Sequence, residues 1–204
     1  MEGITSMDRL KVVRSVKPYY FYLICEGLKK YEVGKDMPKN SDWDRTVELY
    51  CSKDMQSFKR IPEECREKYR KYLGKVGARF VCDDIINLGK EYAYARKDKR
   101  FYDILQNSCL TVEWLQKYAP KGDAVAWHIK DLAVYVEPKP THDFKKPCID
   151  KYGYCPTCRV GGEIIPESEA EFYRMGEDCR TEWYCVNWLR KPPQTWCYVE
   201  VNAQ

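Results

Sequence analysis

Cys155-Pro156-Thr157-Cys158 sets two thiols in one turn, where both thiolates can converge on a single ion, and Gly161-Gly162 follows as in a zinc knuckle. Cys148 on one side and Cys185 or Cys179 on the other would complete a four-sulfur set, with no His between Cys148 and Cys185 to compete. Four thiolates leave no open coordination position, so the expected ion is a structural zinc that organises a polar segment with little core of its own. Unrelated buried thiols are the bland alternative, and a redox CxxC is a third, although no βαβ pattern accompanies it. A second concentration of chemistry lies nearer the N-terminus. Lys17, Lys29, Lys30, Glu32 and Lys35 stand on either side of one short helix pattern, and a strand folded back against that helix would bring their heads together. Such a cluster suits a phosphate or carboxylate, with Glu32 accepting from a base edge or holding a Lys in place. The competing description is an ordinary surface ion pair worth about 0 to 1 kcal/mol. Lys29 and Glu32 are also candidates for acid and base, as is His128, one of only 2 His in the chain. His128 follows Trp127 in a strand pattern, so one of the two points inward; its imidazole is either a base near neutral pH or a satisfied, half-buried ring. Tyr50 and Trp196 either stack a base or fill core.

The elements that must position these groups are those of a single domain over 1–204, with 147–190 as a cysteine-rich insert near the C-terminus. With 204 residues, 44% hydrophobic and 14% aromatic, the chain has enough apolar surface for a sizeable core and is too rich in aromatics for disorder. No apolar run is long enough to cross a bilayer, and Met1 to Lys11 lacks the apolar stretch of a signal peptide. The expectation is a soluble, cytoplasmic protein without a membrane partner. Its 11 Cys are then reduced thiols or metal ligands, and an odd number cannot pair fully within one chain. Net charge is only +4, but it is unevenly placed: Lys59 to Arg100 holds 13 basic against 7 acidic residues, and Cys148 to Cys185 holds 4 against 8. The basic stretch is interleaved with Tyr69, Tyr72, Tyr92, Tyr94, Phe101 and Tyr102, which suits phosphate neutralisation and base stacking, or else a solvated helix face with tyrosines anchored in the core. The acidic insert would suit a basic protein partner.

Arg9 to Val16 alternates apolar and basic residues as a first strand. Pro18 opens a helix that Gly27 ends. Lys30 to Val33 and Thr46 to Cys51 are strand patterns; Pro62 opens a charged helix closed by Gly74; Lys75 to Leu88 reads as one long strand with a bend near Gly77. Thr111 caps a helix over Val112 to Tyr118. Ala124 to Ile129 and Leu132 to Glu137 form a hairpin or one kinked strand, and Thr195 to Val201 is the last strand. Several short strands with two or three helices give an α+β fold, a small β-barrel with flanking helices.

Ser15-Val16-Lys17-Pro18 at a strand-to-helix junction, then Glu26-Gly27-Leu28-Lys29-Lys30-Tyr31-Glu32-Val33-Gly34-Lys35, resembles the opening of an ASCH domain of the PUA-like family. Leu49-Tyr50-Cys51-Ser52, Gly74-Lys75-Val76, Ala126-Trp127-His128-Ile129 and Pro192-Pro193-Gln194-Thr195-Trp196-Cys197-Tyr198-Val199-Glu200 follow in the order of the phage and bacterial form. The resemblance implies a PUA-like β-barrel with a cleft beside the first helix, binding RNA, single-stranded DNA or a modified nucleotide. Ser15, Lys17, Lys29, Lys30, Glu32, Lys35, Tyr50, Trp127 and Trp196 are its expected ligand-binding residues. Some family members are amidohydrolases that remove an acyl group from cytidine with a Lys, a Thr three positions later and a Glu. Lys29 matches the Lys, but Glu32 occupies the Thr position, and Asn107-Ser108 stands where the matching acid belongs. The family's Arg two positions after the motif Glu is replaced by Gly34, with Lys35 next. Nucleic-acid or nucleotide binding is therefore the first expectation, a modified-nucleoside hydrolase the second, and a zinc-stapled protein-interaction factor the third.

Overall fold

Pro18 at the head of α1 (Pro18–Cys25) lacks the N–H that a helix would leave unpaired there, and Gly27 with φ +71° turns the chain out of the helix. These two residues fix the joint between β1 (Leu10–Val16), α1 and β2 (Tyr31–Gly34), on which the candidate site is built. The computed structural model describes residues 10–38, 43–89, 99–144, 189 and 192–199, together with the backbone of 159–160 and 163–164. After β2 come β3 (Trp43–Cys51), α2 (Met55–Phe58), α3 (Glu63–Arg70), β4 (Lys75–Val81), β5 (Ile85–Asn87), α4 (Lys99–Asn107) and α5 (Val112–Tyr118). Then follow β6 (Val125–His128), β7 (Lys130–Lys139), a 3-10 turn at Thr141–Asp143, the paired β8 (Arg159–Val160) and β9 (Glu163–Ile164), and β10 (Trp196–Val199).

The fold is α+β with mixed pairing. One sheet has the order β10-β1-β3-β4-β7, in which β1 and β3 are parallel and the other pairs antiparallel; a second has the order β2-β6-β5. The described strands do not close into the expected barrel. Two stretches, one that reads as a single long strand and one that reads as a hairpin or one kinked strand, pass from one sheet to the other. Lys75 to Leu88 divides at Cys82–Asp84, so that β4 joins the five-stranded sheet and β5 the three-stranded one. Ala124 to Glu137 divides likewise at Ile129, and β6 and β7 are neither a hairpin nor one strand. Alternating hydrophobicity records that a strand is half buried and carries no information about which sheet buries it.

Three apolar clusters hold these layers. Val12, Phe21, Ile24, Val47, Leu49, Phe80 and Trp127 lie between the five-stranded sheet, α1 and β6. Val33, Ile86, Leu88, Phe101, Ile104, Leu105 and Leu115 fix α4 and α5 against the small sheet. Val13, Tyr50, Val76, Phe144, Leu189 and Val199 cover the other face of the five-stranded sheet. Val12 and Val13 are both 0% exposed because both faces of β1 are covered. Thr111 Oγ1 accepts from Trp114 N at 3.2 Å, the cap that the sequence predicts for α5. The four-residue α2 and the nine-residue α4 were not foreseen. Leu189 N donates to Phe144 O at 2.8 Å, joining the two buried residues on either side of 145–188. Cys148, Cys155, Cys158, Cys179 and Cys185, and with them most of the insert, lie outside the described residues. Among the described residues no helix is long and apolar enough to cross a membrane, and no cluster of three metal-ligating side chains occurs.

Candidate functional site

β1 and β2 belong to different sheets, and between them opens a cleft of about 670 Å³. Its floor is charged and buried. Arg14 on β1 is 4% exposed, Glu32 on β2 6% and Lys29, in the turn before β2, 2%. Arg14 Nη2 lies 3.4 Å from Glu32 Oε1 and Lys29 Nζ 3.5 Å from Glu32 Oε2, so one carboxylate serves two cations. Lys29 Nζ also donates to Ser108 O at 2.7 Å, at the end of α4. Burial pushes the Lys29 ammonium below the ordinary lysine pKa, and the Glu32 carboxylate opposes that shift. Beneath Arg14, the guanidinium carbon stands 4.7 Å from the ring centre of Trp127, which is wholly buried. Beside it, β2 ends in Gly34: a Cβ there would overlap Arg14 Nη2 and stand 3.0 Å from Cζ and Nη1. The absent side chain leaves room for the guanidinium.

The walls are aromatic and the rim cationic. Tyr20 from α1 and Trp114 and Tyr118 from α5 line the cleft, with Trp114 and Tyr118 stacked at 4.6 Å and Tyr20 edge-on to Trp114 at 6.4 Å. Burial pushes the Tyr20 and Tyr118 hydroxyls above their usual pKa, so both stay neutral hydrogen-bond donors at neutral pH. Lys35 Nζ stands 5.1 Å over Tyr118, and Arg60 Cζ 4.1 Å over Tyr19. Lys17 Nζ reaches Asp54 Oδ2 at 3.5 Å, while Asp54 Oδ1 caps α2 by accepting from Gln56 N and Ser57 N at 3.0 Å each. Those backbone donors, Ser57 first, hold the Asp54 carboxyl below its usual pKa. Arg14, Lys17, Lys35 and Arg60 thus face the cleft against two carboxylates, Glu32 and Asp54. A cavity of mixed aromatic and cationic lining is chemically suited to a ligand with a flat ring and a negative charge.

Of the residues predicted from sequence, Ser15, Lys17, Glu32 and Lys35 line this cleft, and Lys29 stands behind Glu32. Lys30 is exposed and outside the lining; its backbone N–H donates to Asn107 O. Trp127 is the inward member of its pair and supports Arg14 from below. His128 points away from the cleft, its Nδ1 2.6 Å from Asp83 Oδ1 and its ring 4.9 Å from that of Tyr31. The His128 contact holds the Asp83 carboxyl below its usual pKa. Tyr50 is buried on the far face of the five-stranded sheet, and Trp196 packs on the main core beside Tyr198. Ser108, where the family resemblance expects an acid, meets Lys29 through its carbonyl instead. Half-buried Cys25 and buried Cys82 have thiols pushed up to about 12 by desolvation, so they remain thiols at neutral pH.

Sequence reasoning missed Arg14, Tyr20, Arg60, Trp114 and Tyr118. An unusual signal was available for one of them: Arg14 is a charged residue in a strand pattern directly after two valines. No protein-family model and no curated protein matches the chain. Among solved structures it is similar to the ASCH protein of Zymomonas mobilis, at 13% identity and a TM-score of 0.45 over 92% of this chain and 86% of that one. It is also similar to two point variants of that protein. One has 12% identity and a TM-score of 0.44 over 92% and 88% of the two chains, and the other 13% and 0.45 over 94% and 89%.

Proposed function

We propose that the cleft binds single-stranded nucleic acid, RNA or DNA, or a modified nucleotide, holding phosphate with its cations and a base among Tyr20, Trp114 and Tyr118. One observation carries this reading: two buried cations, Arg14 and Lys29, share the single carboxylate of Glu32, leaving positive charge on the floor of an aromatic cavity. A buried uncompensated charge is costly, and an anionic ligand would offset it. Lys17, Lys35 and Arg60 would extend the positive field to the rim. The function is also the one implied by the ASCH resemblance in the sequence. Fluorescence anisotropy of labelled single-stranded oligonucleotides across a salt series tests it. Affinity should fall with salt by about 0.7 in logarithmic slope for each phosphate contact, and Lys17→Ala and Lys35→Ala should each flatten the slope by about that amount. Absence of binding to both oligonucleotides and nucleotides at low salt refutes it.

The second reading is turnover of an acylated or alkylated nucleoside. It is supported by the lowered pKa of buried Lys29 beside Glu32, an arrangement suited to passing a proton. Glu32→Gln separates the two: binding, which uses the cations and not the carboxylate, should persist, whereas turnover is abolished if Glu32 is the base.

A further inference from the structure

We propose that Arg14 is the phosphate receptor of this cleft, donating from Nε and a terminal nitrogen to two oxygens of one phosphate group. The inference rests on the nucleotide reading for its biological ligand, but its geometry stands on the arginine itself. Arg14 lines the cleft while only 4% exposed, and its Nε is buried with no hydrogen-bond partner among the described residues. Its contact with Glu32 is long: 3.4 Å, against the roughly 2.7 to 2.9 Å of a tight charge-assisted hydrogen bond. Glu32 is shared with Lys29 and so does not saturate either cation. Guanidinium has five N–H donors in a rigid plane, and that plane is held from below by Trp127 and from the side by the bare backbone of Gly34. A buried planar donor of fixed orientation with an unmade hydrogen bond is prepared for a bidentate acceptor.

A second orphan narrows the ligand's chemistry. Ser52 Oγ, which lines the same cleft, is also buried without a partner among the described residues. Ser52 follows β3, and its N–H donates to Val16 O, which ties it to the strand that carries Arg14. A planar carboxylate engaged by the arginine fork turns both its oxygens to the guanidinium, whereas a tetrahedral phosphate keeps further oxygens outside that plane to accept from Ser52.

The test compares a nucleoside, its 5′-monophosphate, a short oligonucleotide and inorganic phosphate. Wild type should bind the monophosphate at least about 10-fold more tightly than the nucleoside, and Arg14→Lys, which keeps the charge but removes the fork, should abolish most of that preference. Equal monophosphate affinity in Arg14→Lys, with oligonucleotide binding by wild type intact, overturns the receptor and leaves the cleft reading standing. Inorganic phosphate judges the receptor independently, in the wild-type protein and without reliance on a variant that folds. The Arg14 Nε–H resonance in a nitrogen–proton correlation spectrum should shift saturably as phosphate is added. A resonance unmoved by phosphate, or one moved no more than by chloride at equal ionic strength, overturns the proposal even if oligonucleotides bind. Failure of wild type to bind any nucleotide or oligonucleotide, with the Nε–H shift present, refutes the nucleic-acid reading alone.

Discussion

Gly34→Ala places one methyl group against the guanidinium of Arg14 and tests the construction of the cleft floor. Gly34 does not adopt a positive φ, so alanine brings no backbone strain, and the whole effect comes from the side chain. The new Cβ would overlap Nη2 and lie 3.0 Å from both Cζ and Nη1. The guanidinium must move, but Trp127 blocks it below, and movement away from β2 lengthens a contact with Glu32 that is already 3.4 Å. Overpacking of this kind costs about 1 to 3 kcal/mol. Against it, alanine restricts the unfolded chain and returns about 0.4 to 1 kcal/mol. The net expectation is destabilisation of up to about 2.6 kcal/mol by urea denaturation, with the slope m unchanged. A double-mutant cycle with Arg14→Ala cancels the unfolded-state gain, since it occurs in both legs. The methyl should then be nearly harmless, and the coupling energy should be about 1 to 3 kcal/mol. Additivity of the two substitutions within about 0.5 kcal/mol would refute the placement of Arg14 beside Gly34.

Glu48, 2% exposed on β3, accepts from Tyr135 Oη at 2.6 Å, and burial raises its carboxyl pKa despite that hydrogen bond and the nearby Lys11, Lys139 and Arg79. The folded state therefore keeps this proton to higher pH than the unfolded chain, and the group's contribution to stability falls as pH rises from about 4.5 through the raised value. Glu48→Gln should remove that part of the pH dependence and gain stability relative to wild type at neutral pH; urea midpoints across the range check it, and an unchanged pH slope contradicts it. For Cys155, Cys158, Cys185 and either Cys148 or Cys179, elemental analysis of protein purified without added metal should find about one zinc per chain, released by acid or chelator because the thiolates must be deprotonated to bind. Less than about a tenth of an equivalent refutes the site.

What the sequence determined by itself was local. Pro18, Gly27 and Gly74 mark helix ends because a missing N–H or a positive φ acts within a turn of the residue that carries it, and Thr111 caps α5 through its own side chain. That Glu32 could hold a Lys in place was legible for the same reason, and in the fold that Lys is Lys29, three residues before it. The four-residue α2 carries a mark of the same kind, Asp54 capping it through its side chain, but is too short to show a helical period, and the nine-residue α4 has neither proline nor glycine at its ends. Tertiary structure decided the rest. Residues 75–88 and 124–137 each divide between two sheets, because a period of two does not specify which layer covers a strand. Trp127 supports the site from beneath, and His128 faces away from it, according to the side to which β6 turns. Gly34 reads in sequence as the loss of the arginine found in the resembled family. In the fold, the guanidinium of Arg14, 18 residues before its partner Glu32, occupies the space beside it. A missing side chain becomes meaningful only when another strand is folded against it, and that depends on long-range packing rather than on any rule acting between neighbours in the chain.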